Sequence, residues 1–466
     1  MQYSVVNYKT VRRADDFRWD GEFLCFEPHK NKNYQYFPIG NILKFAQYGI
    51  SIEMNEDKQG YKIYRMNEIS NMFCDVDIDK YAKVDEKEMK KFRLKDNDVL
   101  FNRTNSQVFV GRTGIFKKFS NEPLIFASYL VRFRPDENKI LPEYLTIFLN
   151  TKYGVQDVKR RARISINQSN VSASELQKVE IPLLSINFQN KIKPFFNKSF
   201  ELILKSKSFY SQVEQLLLSE LGLLEWKPKH KLDFVKNYSD TQKAERFDAE
   251  YFQPKYEEII EAVKKYKNGF DELGNLVKIK DKNFTPKDKE TYKYIELANI
   301  SSNGEINGYM ENFGNELPSR ARRKIAKGDV ITSSIEGSLE SIAIITENWT
   351  NALCSTGFFA VNSDKINSET LLVLLKTQVG QMQLKKGCKG TILTAISKDE
   401  LSKIVLPKID FEIQKQIKEK IIEMYETKHL SKSLLEIAKR GVEMAIEKDE
   451  KEAEKWIDDE LAKLKK

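Results

Sequence analysis

Two short polar segments of the sequence carry side chains that could read DNA bases. The first lies in the stretch VLFNRTNSQVFVGRTGIF, which supplies Arg103, Asn105, Ser106 and Arg112. Arginine can make bidentate hydrogen bonds to guanine, and asparagine can make them to adenine, in the major groove. The same residue types also form ordinary surface turns, so the segment alone leaves both interpretations open. We predict that this loop contributes to a DNA-binding surface.

The second segment joins a basic cluster to an amide-rich loop. It contains Lys159, Arg160, Arg161, Arg163, Asn167 and Gln168. Cationic side chains suit contact with phosphates, whereas amides suit contact with base edges, and DNA-binding surfaces combine the two. A solvated helix end is the alternative interpretation. We predict DNA contact here, and we expect joint replacement of Arg160 and Arg161 by alanine to weaken DNA binding broadly without unfolding the protein.

The sequence contains none of the short motifs that indicate catalysis on DNA. It has no GxxxxGK[ST] loop for a nucleotide and no GxGxxG segment for a dinucleotide. No Pro-Pro pair occurs, so the motif of N6-adenine methyltransferases, Asn or Asp before Pro-Pro and an aromatic residue, is absent. Neither HExxH nor metal-spaced clusters of Cys and His are present. We therefore predict no catalytic residue, no metal and no cofactor in this chain.

The chain contains an internal repeat. The segment RWDGEF at position 18 returns as RFDAEY at position 246, and LKDNDVLFNRT at position 94 returns as IAKGDVITSSI at position 325. A longer block, SASELQKVEIPLLSINFQNKI at position 172, returns as SKDELSKIVLPKIDFEIQKQI at position 397. Three matches in the same order at similar spacing indicate a duplicated unit of roughly 225 to 230 residues.

The second copy carries similar chemistry with different side chains. Ser333 and Ser334 occupy the place that corresponds to the Arg103 turn. The basic cluster is replaced by the run KKGCKGTILT, which supplies Lys385, Lys386, Lys389, Thr391 and Thr394. A framework that is repeated while its loops differ indicates two readers of different half-sites.

Each copy has the same predicted order of elements. Strands come first, because short β-branched and aromatic runs alternate with Gly, Asn and Asp. A short helix follows, near residues 141–158 in the first copy and 368–384 in the second. A basic or Gly-rich loop, a turn around ELQKVEIP or ELSKIVLP and a long helix then complete the copy. The pattern predicts an α+β protein with two strand-rich domains.

Both long helices carry apolar residues at alternating spacings of three and four, which is typical of a coiled coil. The first helix supplies Phe188, Ile192, Phe195, Leu202, Phe209, Val213 and Leu216. The second supplies Ile413, Ile417, Ile421 and Met424. We predict that the two helices pack on each other, the alternative being that each packs only on its own domain. A helix over 188–223 would be about 54 Å long, which exceeds the roughly 34 Å of one turn of B-DNA.

Composition sets broad limits on the function. The 466 residues are 41% hydrophobic, enough for several cores, and the formal net charge of +9 is compatible with a polyanionic partner. The four cysteines form no CxxC pair, which favours reduced thiols in the cytosol. No apolar run approaches the roughly 20 residues of a membrane span, and the N-terminus lacks the core of a signal peptide. We expect a soluble, cytoplasmic protein without a membrane partner.

Together these features resemble a known family. The two-fold repeat, the segment DVLFNRTNSQVFVGRTGIF, the basic loop before ELQKVEIPLLSINFQNKI and the segment GTILTAISKDELSKIVLPKIDFEIQKQI are similar to the specificity subunits of type I restriction-modification enzymes. The similarity covers nearly the whole chain. It implies two target-recognition domains, at 1–186 and 227–410, each reading half of a split site. It also implies an antiparallel coiled coil of a central helix at 187–226 and a C-terminal helix and tail at 411–466, which sets the gap between half-sites.

The resemblance also implies partners. A specificity subunit catalyses nothing itself; it binds double-stranded DNA, docks two methyltransferase subunits and assembles with restriction subunits that translocate DNA. S-adenosylmethionine and ATP would bind those partners. Two alternatives stay open at this point: a DNA-acting enzyme such as a nuclease with an unrecognised catalytic centre, and an interaction scaffold without DNA affinity. The scaffold predicts salt-insensitive behaviour, whereas phosphate contacts predict DNA binding that weakens steeply with salt.

Overall fold

The chain folds into two compact units. The computed structural model describes residues 21–24, 28–107, 109–165, 168–301, 304–347, 349, 351–390 and 394–464. The first unit is formed by the described residues of 1–204 and 427–466, and the second unit by those of 205–426. The predicted boundaries at 187, 227 and 411 follow the repeat, whereas the two units divide within the long helices.

The first unit contains one strand-rich copy of the repeat. Its described strands are β1 (Tyr36–Pro38), β2 (Leu43–Tyr48), β3 (Tyr61–Tyr64), β4 (Ile69–Ser70), β5 (Phe73–Cys74), β6 (Tyr81–Ala82), β7 (Val99–Asn102), β8 (Thr104–Asn105), β9 (Thr113–Ile115), β10 (Leu124–Phe126), β11 (Leu130–Pro135), β12 (Arg163–Ser165), β13 (Gln168–Asn170) and β14 (Glu180–Pro182). They form a six-stranded sheet in the order β2-β11-β7-β9-β5-β4, two three-stranded sheets in the orders β10-β3-β6 and β12-β13-β8, and the pair β1-β14.

The second unit contains the other copy. Its described strands are β15 (Phe270–Glu272), β16 (Lys278–Lys280), β17 (Thr291–Ile295), β18 (Met310–Phe313), β19 (Ala321–Lys324), β20 (Val330–Ser333), β21 (Ile342–Ile344), β22 (Ala352–Ser355), β23 (Phe358–Asn362), β24 (Cys388–Lys389), β25 (Ala395–Ile396) and β26 (Val405–Pro407). They form sheets in the orders β16-β23-β20-β21 and β18-β17-β22-β19, and the pairs β15-β26 and β24-β25.

Helices connect and cover the sheets. The described α-helices are α1 (Gly21–Leu24), α2 (Glu86–Phe92), α3 (Pro142–Asn150), α4 (Lys152–Arg161), α5 (Ala173–Gln177), α6 (Ile186–Glu220), α7 (Tyr238–Ala244), α8 (Pro254–Lys264), α9 (Leu273–Leu276), α10 (Ser368–Lys376), α11 (Gln378–Gly387), α12 (Lys398–Ser402), α13 (Phe411–Glu447) and α14 (Glu450–Leu464). Short 3₁₀ turns lie at Ile39–Ile42, Met66–Glu68, Leu297–Asn299, Gly314–Glu316 and Glu336–Ser338.

The short helix predicted in each copy is a pair of helices. Thr151 separates α3 from α4 in an extended conformation, and its hydroxyl accepts a hydrogen bond from the Gly154 amide at 3.3 Å. Thr377 separates α10 from α11 in the same conformation. Gly154 and Gly380 let the second helix approach the first, because a Cβ at either position would lie within 2.5 Å of the preceding helix backbone. The sequence prediction of one helix was therefore wrong, since both segments look helical and the break comes from a single extended threonine.

The two long helices, α6 and α13, pack against each other in antiparallel directions. The hydroxyls of Ser199 and Ser431 lie 2.7 Å apart, and the Ser206 hydroxyl donates to the Met424 carbonyl at 3.3 Å. All four residues are buried. The predicted antiparallel pairing of the long helices in an α+β fold is thus confirmed.

The buried face of α6 is wider than the predicted coiled-coil seam. Among the predicted residues, Phe188, Ile192, Leu202, Val213, Ile417, Ile421 and Met424 are buried, whereas Phe195, Phe209, Leu216 and Ile413 are partly buried. In addition, Phe196 and Phe200 are buried, with ring centroids 4.5 and 5.2 Å from that of Phe73. The helix therefore packs on the strand-rich part of its unit as well as on the other helix, and this requires more apolar positions than a two-helix seam alone.

A glutamine fixes the start of each long helix in the same way. The Gln189 side-chain oxygen accepts from the Leu141 amide at 2.9 Å, and its amide donates to the carbonyl five residues earlier. The Gln414 oxygen likewise accepts from the Asn367 amide at 3.1 Å, with the same bond to the carbonyl five residues earlier. These paired contacts fall at the repeat spacing, so the duplication predicted from sequence extends to individual hydrogen bonds.

The described residues give no sign of a membrane helix or a metal site. None of the described helices combines the length and the apolar character needed to span a membrane. No group of three or more His, Cys, Asp or Glu among these residues is placed to hold a metal ion. Burial raises the pKa of the thiols of Cys74, Cys354 and Cys388, in the last case to about 11, and Cys25 lies outside the described residues.

An ionic network joins α4 to α13 in the first unit. Glu447 accepts hydrogen bonds from both terminal nitrogens of Arg440, at 3.0 and 3.1 Å, and from the Tyr153 hydroxyl at 3.1 Å. Lys152 Nζ lies 2.6 Å from the same carboxylate. Burial alone would raise the pKa of Glu447, but the hydrogen bonds from Arg440, Lys152 and Tyr153 overcome it and lower the pKa to about 2. The network holds the start of α4 against α13.

We expect Glu447→Gln to lower the free energy of unfolding at pH 7 by on the order of 2 kcal/mol. Because the pKa of Glu447 is depressed from an ordinary value near 4.5, the ionised form stabilises the fold above that value. The contribution is lost as pH falls from about 5 toward about 2. Urea unfolding between pH 3 and 7 should therefore show the two proteins converging in acid. Glu452→Gln, at an exposed ion pair with Lys448, is the control, and a difference that is independent of pH would contradict the prediction.

Candidate nucleic-acid interface

The two predicted DNA-binding segments of the first unit are joined in one small sheet. β8 of the Arg103 loop pairs with β13, which in turn pairs with β12. Opposite one another lie Asn105 and Ser169, and the exposed Gln168 pairs with Ser165. Residues about sixty positions apart in sequence thus share one surface, which we call the first loop surface (residues 103–107, 109–112, 163–165 and 168–170).

Arg103 lies at the base of this surface and does not project freely from it. Its guanidinium packs over the Tyr48 ring, with 4.9 Å from Cζ to the ring centroid. It also lies 3.4 Å from the Ser128 carbonyl and 3.3 Å from the Asn170 side-chain oxygen. The half-buried Arg103 therefore connects the loop to β13 and to the strand that carries Tyr48.

The other predicted residues of the loop are more accessible. Arg112 is exposed, and its guanidinium packs at 4.0 Å over the ring of Phe109, itself 41% exposed. Asn105 and Ser106 are half-buried, and the Asn105 side-chain oxygen accepts from the Ser106 amide at 2.8 Å. The Asn105 side-chain oxygen thus already accepts a hydrogen bond within its own turn. Arg112, by contrast, presents its charge to solvent while it packs on the Phe109 ring.

The basic cluster divides into residues that stabilise the fold and residues that face solvent. Arg161 is buried, and its guanidinium lies 3.2 Å from Asp157 and 3.3 Å from Glu175. Arg160 is half-buried, with Nε 2.5 Å from Asp157 and Cζ 5.1 Å from the centroid of the Phe23 ring. The last two members, Lys159 and Arg163, are exposed. The expectation that Arg160 and Arg161 can be replaced together without unfolding is revised, because Arg161 lies between two buried carboxylates.

In the second unit the corresponding turn is built from serines. Ser333 is buried, with its hydroxyl 3.0 Å from that of Ser338, and the Ser334 hydroxyl donates to the Gly357 carbonyl at 3.0 Å. The Thr394 carbonyl accepts from the Glu336 amide at 2.9 Å. The two serine side chains and the Thr394 carbonyl hold the turn together, so the accessible cations of the second surface come from its neighbours.

The lysines of the second unit occupy places equivalent to the first basic cluster. Lys385 and Lys389 are exposed, and Lys389 Nζ lies 3.4 Å from Glu400. Lys386 Nζ lies 5.0 Å from the Tyr251 ring centroid, and burial lowers the pKa of Lys386. This contact repeats the one between Arg160 and Phe23. We call residues 333–338, 385–390 and 394–396 the second loop surface.

Sequence reasoning missed the exposed aromatic and apolar side chains of the first loop surface. Tyr48 and Tyr129 are about two-fifths exposed next to Arg103, and Ile164 is 60% exposed on β12. No local motif marks these residues, because two different strands and the turn before β11 bring them to the loop. Two predicted residues, Asn167 and Thr391, lie outside the described residues. For the remaining candidates, DNA contact stays a prediction.

Comparison with known proteins gives consistent relatives. A family model for the type I restriction modification DNA specificity domain matches residues 31–215. A protein of Methanocaldococcus jannaschii named as the specificity subunit of type I restriction enzyme MjaX is 23% identical over 446 residues, which cover 90% of this chain and 96% of that protein. The type I restriction enzyme EcoKI specificity subunit of Escherichia coli is 26% identical over 168 residues, 36% of each chain.

Solved structures of similar proteins match over a comparable length. The S subunit of a type I restriction-modification system from M. genitalium is 14% identical, and the match covers 90% of this chain and 98% of that one with a TM-score of 0.41. The HsdS subunit from Thermoanaerobacter tengcongensis is 12% identical, with coverage of 90% and 98% and a TM-score of 0.29.

The buried and exposed cations should respond differently to replacement. We expect Arg161→Ala to lower the free energy of unfolding by on the order of 3 kcal/mol, because it leaves Asp157 and Glu175 buried without this cation. Lys159→Ala and the equivalent Lys385→Ala should change stability by no more than about 0.5 kcal/mol. Each should weaken DNA binding and reduce the slope of log K against log salt by about one.

Urea unfolding and fluorescence anisotropy at several salt concentrations measure the two effects. Lys451→Ala, on the exposed face of α14, is the matched charge control and should leave both unchanged. An unaltered salt slope in both lysine variants would count against their contact with phosphates, and normal stability of Arg161→Ala would count against the buried ion pair.

Proposed function

We propose that the chain belongs to the family of type I restriction-modification specificity subunits and that it reads a DNA site made of two separate half-sites. In this family the subunit supplies DNA sequence specificity and is not itself catalytic. Each unit would read one half-site through its loop surface. We further propose that the predicted four-part division of the chain applies, with the paired long helices setting the gap between half-sites.

The observation that carries this proposal is a repeated framework with different side chains at the same place. The Val171 amide donates to the Arg103 carbonyl at 2.9 Å, and the Ile396 amide donates to the Ser334 carbonyl at 2.8 Å. The backbone is therefore held alike in both units, while an arginine in one corresponds to a serine in the other. Two surfaces with a common scaffold and different hydrogen-bonding groups suit two different base sequences.

Exposed cations at equivalent positions support a shared mode of phosphate contact. Lys159 lies in the last turn of α4 and Lys385 in the last turn of α11, and both are exposed. Contacts to phosphates position a protein on the duplex without selecting a sequence. Equivalent lysines in the two units would therefore orient two readers in the same way, and the loops beside them would select the bases.

Partner subunits would supply the chemistry. We propose that the chain docks two methyltransferase subunits and assembles with restriction subunits, which bind S-adenosylmethionine and ATP respectively. The site of action would be the cytoplasm, where the DNA is. The chain would thus direct methylation and cleavage by deciding where on the DNA the complex is placed.

A genome-wide map of methylated adenines in the host, with and without this gene, tests the proposal. We expect deletion to remove methylation from one split motif, two short half-sites around a fixed unspecific gap. Replacing residues 30–180 with the corresponding part of a relative should change one half-site and keep the other. Methylation that is unchanged by deletion, in a host where the partner subunits are produced, would contradict the proposed function.

A further inference from the structure

An antiparallel strand pair at the edge of the first loop surface has an apolar side chain among polar ones. In this pair, the ribbon (residues 163–165 and 168–170), Ile164 is 60% exposed. Its neighbours Arg163 and Ser165 are exposed, as is Gln168 opposite Ser165. A single exposed isoleucine is ordinary on a protein surface. Its place on this ribbon, beside the predicted base-reading loop, distinguishes it from such residues.

The base of the ribbon is fixed while its outer strand is exposed. The Asn170 amide donates to the Thr104 hydroxyl at 2.7 Å, and Arg103 lies 3.3 Å from the Asn170 oxygen. Ser169, on the central strand opposite Ile164, is buried. β12, by contrast, is the edge strand of the β12-β13-β8 sheet, and all three of its residues are exposed. Ile164 is therefore held on a firm support and is not part of a loose loop.

A two-stranded ribbon of this kind matches the major groove of B-DNA. That groove admits either an α-helix or a two-stranded β-ribbon, and it presents a distinct chemical pattern for each base pair. Thymine is the one unmodified base that presents a methyl group there, and apolar side chains recognise it. Alternation along β12 places Ile164 on the ribbon face opposite Arg163 and Ser165. With the face that carries Ile164 turned toward the bases, the isoleucine would meet the methyl group, and the polar side chains of the other face would point toward phosphates or solvent.

From this geometry we propose that Ile164 contacts the C5 methyl group of a thymine in the half-site read by the first unit. The proposal rests on the DNA-reading function proposed above and adds one specificity-determining residue to it. In the second unit the strand equivalent to β12 is the short β24, which carries the exposed Lys389. The thymine contact therefore belongs to one half-site only.

A double-mutant cycle between the protein and the DNA tests the contact. The full chain is titrated with duplexes that contain the split motif identified by the methylation map. In these duplexes each thymine is replaced in turn by uracil, which lacks the methyl group. We expect uracil at one position of one half-site to weaken binding about fourfold, the effect of losing one buried methyl contact. Ile164→Ala should weaken binding to the thymine duplex by at least the same factor and should abolish the further effect of uracil at that position.

Two controls separate this contact from general effects. Ile186→Ala removes another isoleucine of the first unit, 50% exposed on α6, and should leave both the affinity and the uracil effect unchanged. Thymines of the other half-site should give the same uracil response in the Ile164→Ala variant as in the unaltered chain. Urea unfolding of Ile164→Ala should match that of the unaltered chain, because the replaced side chain is exposed.

The outcomes distinguish this inference from the function on which it rests. If binding is sequence-specific but no uracil substitution weakens it, the thymine contact alone is overturned. The same holds if the losses of binding free energy from Ile164→Ala and from uracil add together. A 2-aminopurine probe that brightens only when Ile164 is present, without a uracil effect, would instead indicate insertion of the side chain between bases. Failure of the unaltered chain to prefer the motif over other DNA would overturn the proposed function itself.

Discussion

The apolar faces of the two long helices are the constraint on which the structure depends. In the first unit, Phe188, Ile192 and Phe196 of α6 share one core with Ala438 and Val442 of α13. In the second unit, Val213 and Leu217 of α6 and Ile417 of α13 share the other core. These faces are apolar, so their exposure to water would be unfavourable. Burial of apolar surface is the main favourable term in folding. Each unit is therefore completed by chain segments that lie far apart in sequence.

This arrangement explains why small polar residues occur inside the helix pair. Ser199, Ser206 and Ser431 are buried where an apolar residue would be expected, and each makes a hydrogen bond across to the other helix. A buried hydroxyl without a partner would cost free energy, so these contacts favour one register of the helices over shifted ones. Because Gln189 and Gln414 fix the starts of the same helices, their position against the strand-rich parts is specified at several points.

The basic run at residues 159–161 contains side chains with two different roles. Some stabilise the fold, and others face solvent. Arg161 is buried between carboxylates, Arg160 packs on an aromatic ring, and Lys159 points to solvent. Of these three, only an exposed residue such as Lys159 can contact a phosphate without first breaking a contact to another side chain. The chain has 77 lysines and arginines against 68 acidic residues, so the net charge of +9 does not tell which cations face solvent. A surface for DNA can then be set by a few residues of the loop surfaces.

The sequence by itself determined the duplication, the α+β class, the long helices and the general location of the loops. These features depend on local spacing, on turn residues and on similarity between two parts of one chain, which can be read without coordinates. Segments 94–104 and 325–335 could be aligned because the framework residues, such as Asp98 and Asp329, are the same in both copies.

Only the tertiary structure decided which of the candidate residues face solvent and which support the fold. Arg161 and Lys159 are neighbouring cations in the same basic run of the sequence. Arg161 is nevertheless buried and paired with two carboxylates, and one of these, Glu175, lies on the following helix. The pairing of β8 with β13, the aromatic support of Arg103 by Tyr48 and the exposure of Ile164 likewise depend on strands that are distant in sequence. Burial and hydrogen bonding depend on which segments pack together in the fold, and local sequence patterns do not show which segments those are.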